Sequence, residues 1–288
     1  MDAARRVPDA CRMTNTDHMT GRFQDSVVLI TGGGGGIGKA AARRFLDEGA
    51  RVVLSGTRLA VLEQAQAELD PAGTRTAIVA GHITGREQAQ ALVHAAVERF
   101  GGVDVLVNST GIFRPVPFLE QTEEHLEEAL GSILRPTYWV SQAAAQAMRE
   151  RGGGAIVNVG SMWAVDAIAT TPTSAYSAAQ AGRHALTKNL ALELAPERIR
   201  VNTVALAFVE TPAYERFMTP DEAREVLDAV DGFHPLGRRG QPQDVVEAIL
   251  FYAGRESSWI TGTTLPVDGG VLAGRSPAVH QEEAAAAA

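Results

Sequence analysis

Short apolar runs alternate with amphipathic stretches from about Gln24 to Gly270. "DSVVLIT", "RVVLSG", "RTAIVAG", "VDVLVNSTG", "GAIVNVGS", "RIRVNTVAL" and "TTLPVDGG" have the continuous apolar character of strands buried on both faces. Between them, "GKAAARRFLDEGA", "LAVLEQAQAELD", "REQAQALVHAAVERFG", a long segment from about Glu123 to Arg151, "TSAYSAAQAGRHALTKNLALEL" and "QPQDVVEAILFYAG" repeat apolar residues at helical spacing. Strand and helix taking turns predicts a parallel sheet with helices on both sides. The expectation is therefore one doubly wound, Rossmann-like α/β domain over residues 23–272, its ligand crevice outside the strand C-terminal ends. Residues 1–22 and 273–288 lack the alternation and are expected to be a flexible leader and tail.

Composition narrows the partners. The chain has 34 acidic residues against 26 Lys plus Arg, a formal charge of −8, and no basic run interleaved with aromatics. Nucleic acid and anionic membrane are poor partners for such a surface. Neither a spanning segment nor a signal-peptide core is visible, so a cytoplasmic location is expected. The single cysteine, Cys11, excludes an internal disulfide, and the seven histidines form no helical ligand pair, so no metal site is expected.

Two stretches carry candidate chemistry. In "VVLITGGGGGIGKAAARRF" a strand runs through Gly32, Gly35, Gly36, Ile37 and Gly38 into a helix. Backbone amides and the helix N-terminus can face a pyrophosphate there with no side chain in the way, although a plain flexible turn reads the same in isolation. In the helix from 173 to 194, Tyr176 and Gln180 stand at i and i+4 and share a face.

Together these features resemble the short-chain dehydrogenases/reductases. "TGGGGGIG" is similar to their TGxxxGxG cofactor loop, "NSTG" (Asn108 to Gly111) to their NNAG motif, and "IVNVGSM" puts Ser161 at the position of their catalytic serine. Tyr176 falls on the tyrosine of YxxxK, and "HPLGRRGQPQDVVEAILFYAGRESSWITGTTLPVDGG" resembles the family's C-terminal signature. The resemblance implies a nicotinamide cofactor held by Gly32, Gly35, Gly36, Ile37, Gly38, Ile83, Asn108, Gly111, Tyr176, the residue at 180, Val209 and Thr211. It also implies a homo-tetramer or dimer. The acid that usually ends the second strand and selects NAD is replaced by Gly56, with Arg58 nearby; NADP(H) is thus expected over NAD(H), unless Arg58 is only a solvated helix-start residue.

The departures sit in the same crevice. Gln180 takes the place of the family's lysine and brings no charge, so Tyr176 is expected to remain a neutral phenol, better suited to donate than to accept a proton. Lys188 is about two turns, ~12 Å, further along the helix, too far to substitute in place. Arg183, at i+7, shares the tyrosine's face, and His184 follows it. Ile133 stands for the family's mid-helix asparagine, and Pro136 is expected to bend that helix. His82 replaces an adenine-contacting aspartate, and Leu206 and Ala207 replace a Pro-Gly pair beside the nicotinamide. Phe113, Met162, Trp163, Ile168, Phe208, Tyr214 and Phe217 are candidates for an apolar or aromatic substrate wall, or else for core.

Three functions remain open on the sequence. One is reduction of a ketone or related carbonyl, with Ser161 orienting the oxygen, Tyr176 donating the proton and Gln180 holding the ribose. Another is a non-redox dehydratase, cyclase or isomerase that turns over no cofactor and uses Ser161 and Tyr176 to stabilise an oxyanion. The last is a catalytically silent subunit paired with an active relative.

Overall fold

The computed structural model describes residues 21–168, 171–212 and 219–274. Seven strands, β1 (Val27–Thr31), β2 (Arg51–Gly56), β3 (Thr76–Ala80), β4 (Val105–Asn108), β5 (Gly154–Ser161), β6 (Ile199–Leu206) and β7 (Thr264–Val267), form one sheet in the order β3-β2-β1-β4-β5-β6-β7. Every pairing is parallel. All seven predicted strands are present, and β1 and β4, in the middle of the sheet, are buried along their whole length. The edge strands β3 and β7 are more exposed, as expected where only one neighbour covers the backbone.

Helices α1 (Gly36–Asp47), α2 (Leu59–Leu69) and α8 (Pro242–Ala253) cover one face; Phe45, Leu46, Leu62, Val245 and Ile249 pack there against β1, β2 and β5. Helices α3 (Arg86–Phe100), α5 (Arg135–Glu150) and α6 (Ser174–Glu193) cover the other, around Leu92, Leu106, Val140 and Ile156. The chain leaves β1 toward β2 and returns at β4 on its opposite side, so the strand order reverses between β1 and β4 and opens a crevice at their C-terminal ends.

Two boundaries differ from expectation. The packed domain already includes Arg22, whose guanidinium pairs with the buried Glu48 carboxylate at 2.9 Å, because α1 ends over that point. The long helical segment does run through Pro136, as α4 (Glu123–Ala129) and α5 joined end to end. Its irregularity lies ahead of the proline, in a π-helical turn over Leu130–Leu134. Proline supplies no N–H to the preceding turn, and a widened turn is one way a helix absorbs that loss. A helix of 10 residues, α7 (Pro220–Ala229), precedes α8.

Candidate active site

The crevice has one wall made of backbone. After β1, Gly32 takes a left-handed φ of +69°, and a Cβ on it would stand 2.9 Å from Ser109 O, so the loops leaving β1 and β4 touch at the point of strand reversal. Gly33 N donates to Ser55 O at 2.9 Å, and Gly35 N donates to Gly32 O at 2.9 Å. A Cβ on Gly38 would run into Gly32 O and would stand 2.9 Å from Gly32 C. Helix α1 then begins with Gly35 as its N-cap, with no capping side chain and no acid in its first turn. Its N-terminal amides are thus available to an anion. Thr211 lies over this start, since a Cβ on Gly36 would come 2.8 Å from Thr211 Cβ. Ile37 is half-buried against the core, and Val209 is buried and bridges to Gly240.

Further out, Arg58 is the exposed N-cap residue of α2; its backbone carbonyl accepts from Leu62 N at 3.3 Å, and its guanidinium makes no hydrogen bond or ion pair among the described residues. Gly56 ends β2 with ordinary space around it and no acid beside it. His82 is exposed, and Ile83 is half-buried on the core. Ala207 keeps a negative φ, so its backbone conformation does not require the glycine that the resemblance would put there.

The other wall is made of side chains, most of them on α6. Gln180 is 3% exposed, and its Nε2 donates to Tyr176 Oη at 3.0 Å. The remaining acceptor of that amide, Oε1, is buried without a partner, and so is Thr110 Oγ1. Gly111 lies over the same amide; a Cβ there would be 4.0 Å from Gln180 Nε2 and 3.2 Å from Ile133 Cγ1. Ser161 ends β5, and its Oγ accepts from Trp163 N at 3.3 Å, which leaves its hydroxyl hydrogen free to donate. Tyr176 Oη likewise accepts from Gln180, so its own hydrogen is free.

Asn108 faces inward. It is fully buried; its Nδ2 donates to Asn158 Oδ1 at 2.9 Å and to Ser141 Oγ at 3.1 Å. Asn158 continues to Thr187 Oγ1 at 2.8 Å, and Thr187 Oγ1 donates to Arg183 O at 3.0 Å. The polar chain fastens α6 to the sheet through the Asn108 Nδ2, while the Asn108 Oδ1 is buried without a partner.

Two residues beyond the expected set complete the wall. His184 is buried beneath Ser161, whose backbone N–H donates to His184 Nε2 at 3.3 Å. Only a glycine at 160 makes room for this ring, because a Cβ there would overlap His184 Nε2. Burial first, then the charges of Arg183 and Lys188, push His184 down to about 4, so it is a neutral acceptor at Nε2. Arg183, 1% exposed, donates from Nε to Thr137 Oγ1 at 2.9 Å, from Nη1 to Val159 O at 2.5 Å, and from Nη2 to Thr110 O at 2.7 Å and Ile133 O at 3.1 Å. Its position at i+7 from Tyr176 was visible in the sequence, but its inward direction was not.

Of the aromatic and apolar candidates, Met162, Trp163 and Phe208 are buried in a core cluster that also holds Val271. Phe113 bridges this cluster to the site, with its ring 5.4 Å from Trp163 and 5.0 Å, edge-on, from Tyr176. Ile168 is partly buried beside it. Tyr214 and Phe217 lie outside the described residues. A small hollow beside Tyr176 is lined by Ile112, Arg114, Val116, Gln121, His125, Glu128, Ala129 and Ala175. Among the described residues no acidic, histidine or cysteine cluster could hold a metal, and no helix is long and apolar enough to cross a membrane.

Comparison with known proteins places this geometry in context. Residues 33–272 match the family described as enoyl-(acyl carrier protein) reductase. The 3-oxoacyl-[acyl-carrier-protein] reductase FabG of Thermotoga maritima is 36% identical over 252 residues, covering 87% of this chain and 99% of that protein. The 3alpha-hydroxysteroid dehydrogenase of Mediterraneibacter gnavus is 34% identical over 249 residues, covering 86% and 97%. The crystal structure of gox2181 matches with a TM-score of 0.80 at 31% identity, over 87% of this chain and 97% of that one.

Proposed function

The chain belongs to the short-chain dehydrogenase/reductase family and is an oxidoreductase of that type, and we propose that it reduces the carbonyl group of a ketone with NADPH. The observation that carries this reading is the Gln180 amide: one end donates to Tyr176 Oη at 3.0 Å while the other, Oε1, is buried and unpartnered. A buried acceptor without a donor costs about 1–3 kcal/mol, and a ribose hydroxyl would satisfy it. Thr110 Oγ1, also unpartnered, stands in the same wall.

The residues present fit a nicotinamide dinucleotide. Gly35, Gly36, Ile37 and the uncapped start of α1 would hold its pyrophosphate, Thr211 would close over it, and Gln180 would take its ribose. Arg58, exposed beside the acid-free end of β2, supports a 2′-phosphate and hence NADPH over NADH. When bound, the cofactor supplies the hydride to the carbonyl carbon. Ser161 and Tyr176 each have a free O–H to aim at the carbonyl oxygen; Ser161 orients it, and Tyr176 donates the proton that completes the alcohol. Phe113 offers an apolar edge next to Tyr176, which supports a substrate with an apolar or aromatic body. Leu134, Tyr138, Trp139 and Leu186 line an apolar groove between α5 and α6, which supports self-association through these helices.

Titrating the protein with NADPH and NADH while following nicotinamide fluorescence tests the reading. Saturable binding, tighter for NADPH, is expected. Absence of binding at millimolar cofactor would end the reductase reading and favour a non-redox reaction at Ser161 and Tyr176. Turnover of any substrate abolished by Tyr176→Phe would dispose of a silent subunit.

A further inference from the structure

A guanidinium taken out of water usually has a carboxylate beside it, since desolvating an ion costs several kcal/mol. Arg183 has none: it is fully buried, makes no ion pair among the described residues, and spends its donors on Thr137 Oγ1 and on the carbonyls of Thr110, Ile133 and Val159. These acceptors come from the loop after β4, the π turn, α5 and β5, which together enclose the side-chain wall of the crevice. Thr137 Oγ1 also donates to Ile133 O at 2.6 Å, so that carbonyl has both lone pairs taken. It belongs to the residue standing where the family has its mid-helix asparagine. The irregular helix is therefore kept, and its inward carbonyl is closed by a charge.

The cation is also well placed toward Tyr176. Tyr176, Gln180 and Arg183 fall at i, i+4 and i+7 on one face of α6, and a long helical side chain leans toward the helix N-terminus, here toward the tyrosine. Thr110, which accepts from Arg183, adjoins Gly111, which lies over the Gln180 amide that donates to Tyr176 Oη. Burial lowers the Arg183 guanidinium to about 10, and its electrostatic interaction with Tyr176 acts in the opposite direction.

We propose that Arg183 is the fixed cation of the site: the charge absent from position 180 is held one turn further along α6, as a positioning residue that favours negative charge on Tyr176 Oη and on a carbonyl oxygen bound beside it. This rests on Tyr176 being the proton donor of the proposed function, but not on hydride transfer. The other charged or titratable groups around Tyr176 are His125 on α4, Arg114 paired with Glu128 at the mouth, and His184 and Lys188 on α6.

The test is a pH titration of the protein alone, reading phenolate absorbance as the difference between each protein and its Tyr176→Phe counterpart. Arg183→Met is expected to move the midpoint of that signal upward by about one pH unit, a tenfold change in proton affinity. Adding Gln180→Lys to Arg183→Met should move it back, because the charge returns to the same face. A clamp without an electrostatic role predicts no movement of the midpoint in folded Arg183→Met, and that result overturns the proposal. Where Arg183→Met does not fold, the double substitution decides: a folded protein with a midpoint near that of the unsubstituted chain supports the proposal, and an unfolded protein, or a midpoint well below that of the unsubstituted chain, refutes it. Neither cofactor nor substrate enters this titration, so its failure is distinguishable from failure of the reductase reading.

Discussion

The β1–α1 wall of the crevice is made of backbone, and the α6 wall is made of side chains. On the first, what matters is the absence of a Cβ: Gly38 lies on Gly32 and Gly36 lies under Thr211, so each position admits one residue type. On the second, Gln180 stands where a lysine is expected, and a cation appears three residues later, buried against the carbonyls of Thr110 and Ile133. Backbone recognition tolerates no relocation, because the amides are fixed by the fold. Charge acts through distance and can be supplied from another position on the same helix face.

The largest effect that would sharpen this contrast concerns His184. In the unfolded chain a histidine titrates near 6.5, whereas in the folded protein burial and the neighbouring cations hold it at about 4. Between these values the unfolded state binds the extra proton, so stability present above pH 6.5 is lost as the pH falls toward 4, by up to about 3 kcal/mol. Urea unfolding at pH 7 and near pH 4 should show this loss, and His184→Gln should remove its part of the pH dependence. An unchanged dependence in His184→Gln would mean that the side-chain wall is not the acid-sensitive one.

A smaller effect is expected on the backbone wall. Gly38→Ala must displace the Gly32 carbonyl, at a cost of about 1–3 kcal/mol in unfolding free energy, and should weaken NADPH binding more than tenfold. Full retention of binding would show that this wall, too, can adjust. The smallest is Arg58→Ala, which should weaken NADPH about tenfold and leave NADH unaffected, as read from the same fluorescence titration. Equal effects on both cofactors would return Arg58 to the status of a solvated helix-start residue.

Much of the molecule was legible before any coordinates. The strands announce themselves because burial on both faces forces continuous apolar runs, and Gly49 does end α1, with φ +91°. The glycine loop was legible for a related reason, since its chemistry is local and lies in consecutive residues. The substrate wall was not: Met162, Trp163 and Phe208 have the composition of a binding surface but are packed together as core. Nothing in an aromatic residue's identity tells which of its sides is filled. Asn108 has a motif position that suggested contact with a ligand; the structure shows its Nδ2 held by Asn158 and Ser141 and its Oδ1 buried without a partner.

By itself the sequence determined the strand order's raw material, the cofactor-type loop, the Tyr176 and Gln180 pairing on one helical face, and the loss of charge at position 180, because each depends on periodicity or on neighbours within a few residues. Only the tertiary structure decided that Arg183 turns inward, that the Ile133 carbonyl is there to receive it, and that His184 sits under Ser161. These contacts join residues separated by 23 to 73 positions in the chain, and their direction follows from how α6 packs on β5 and the π turn.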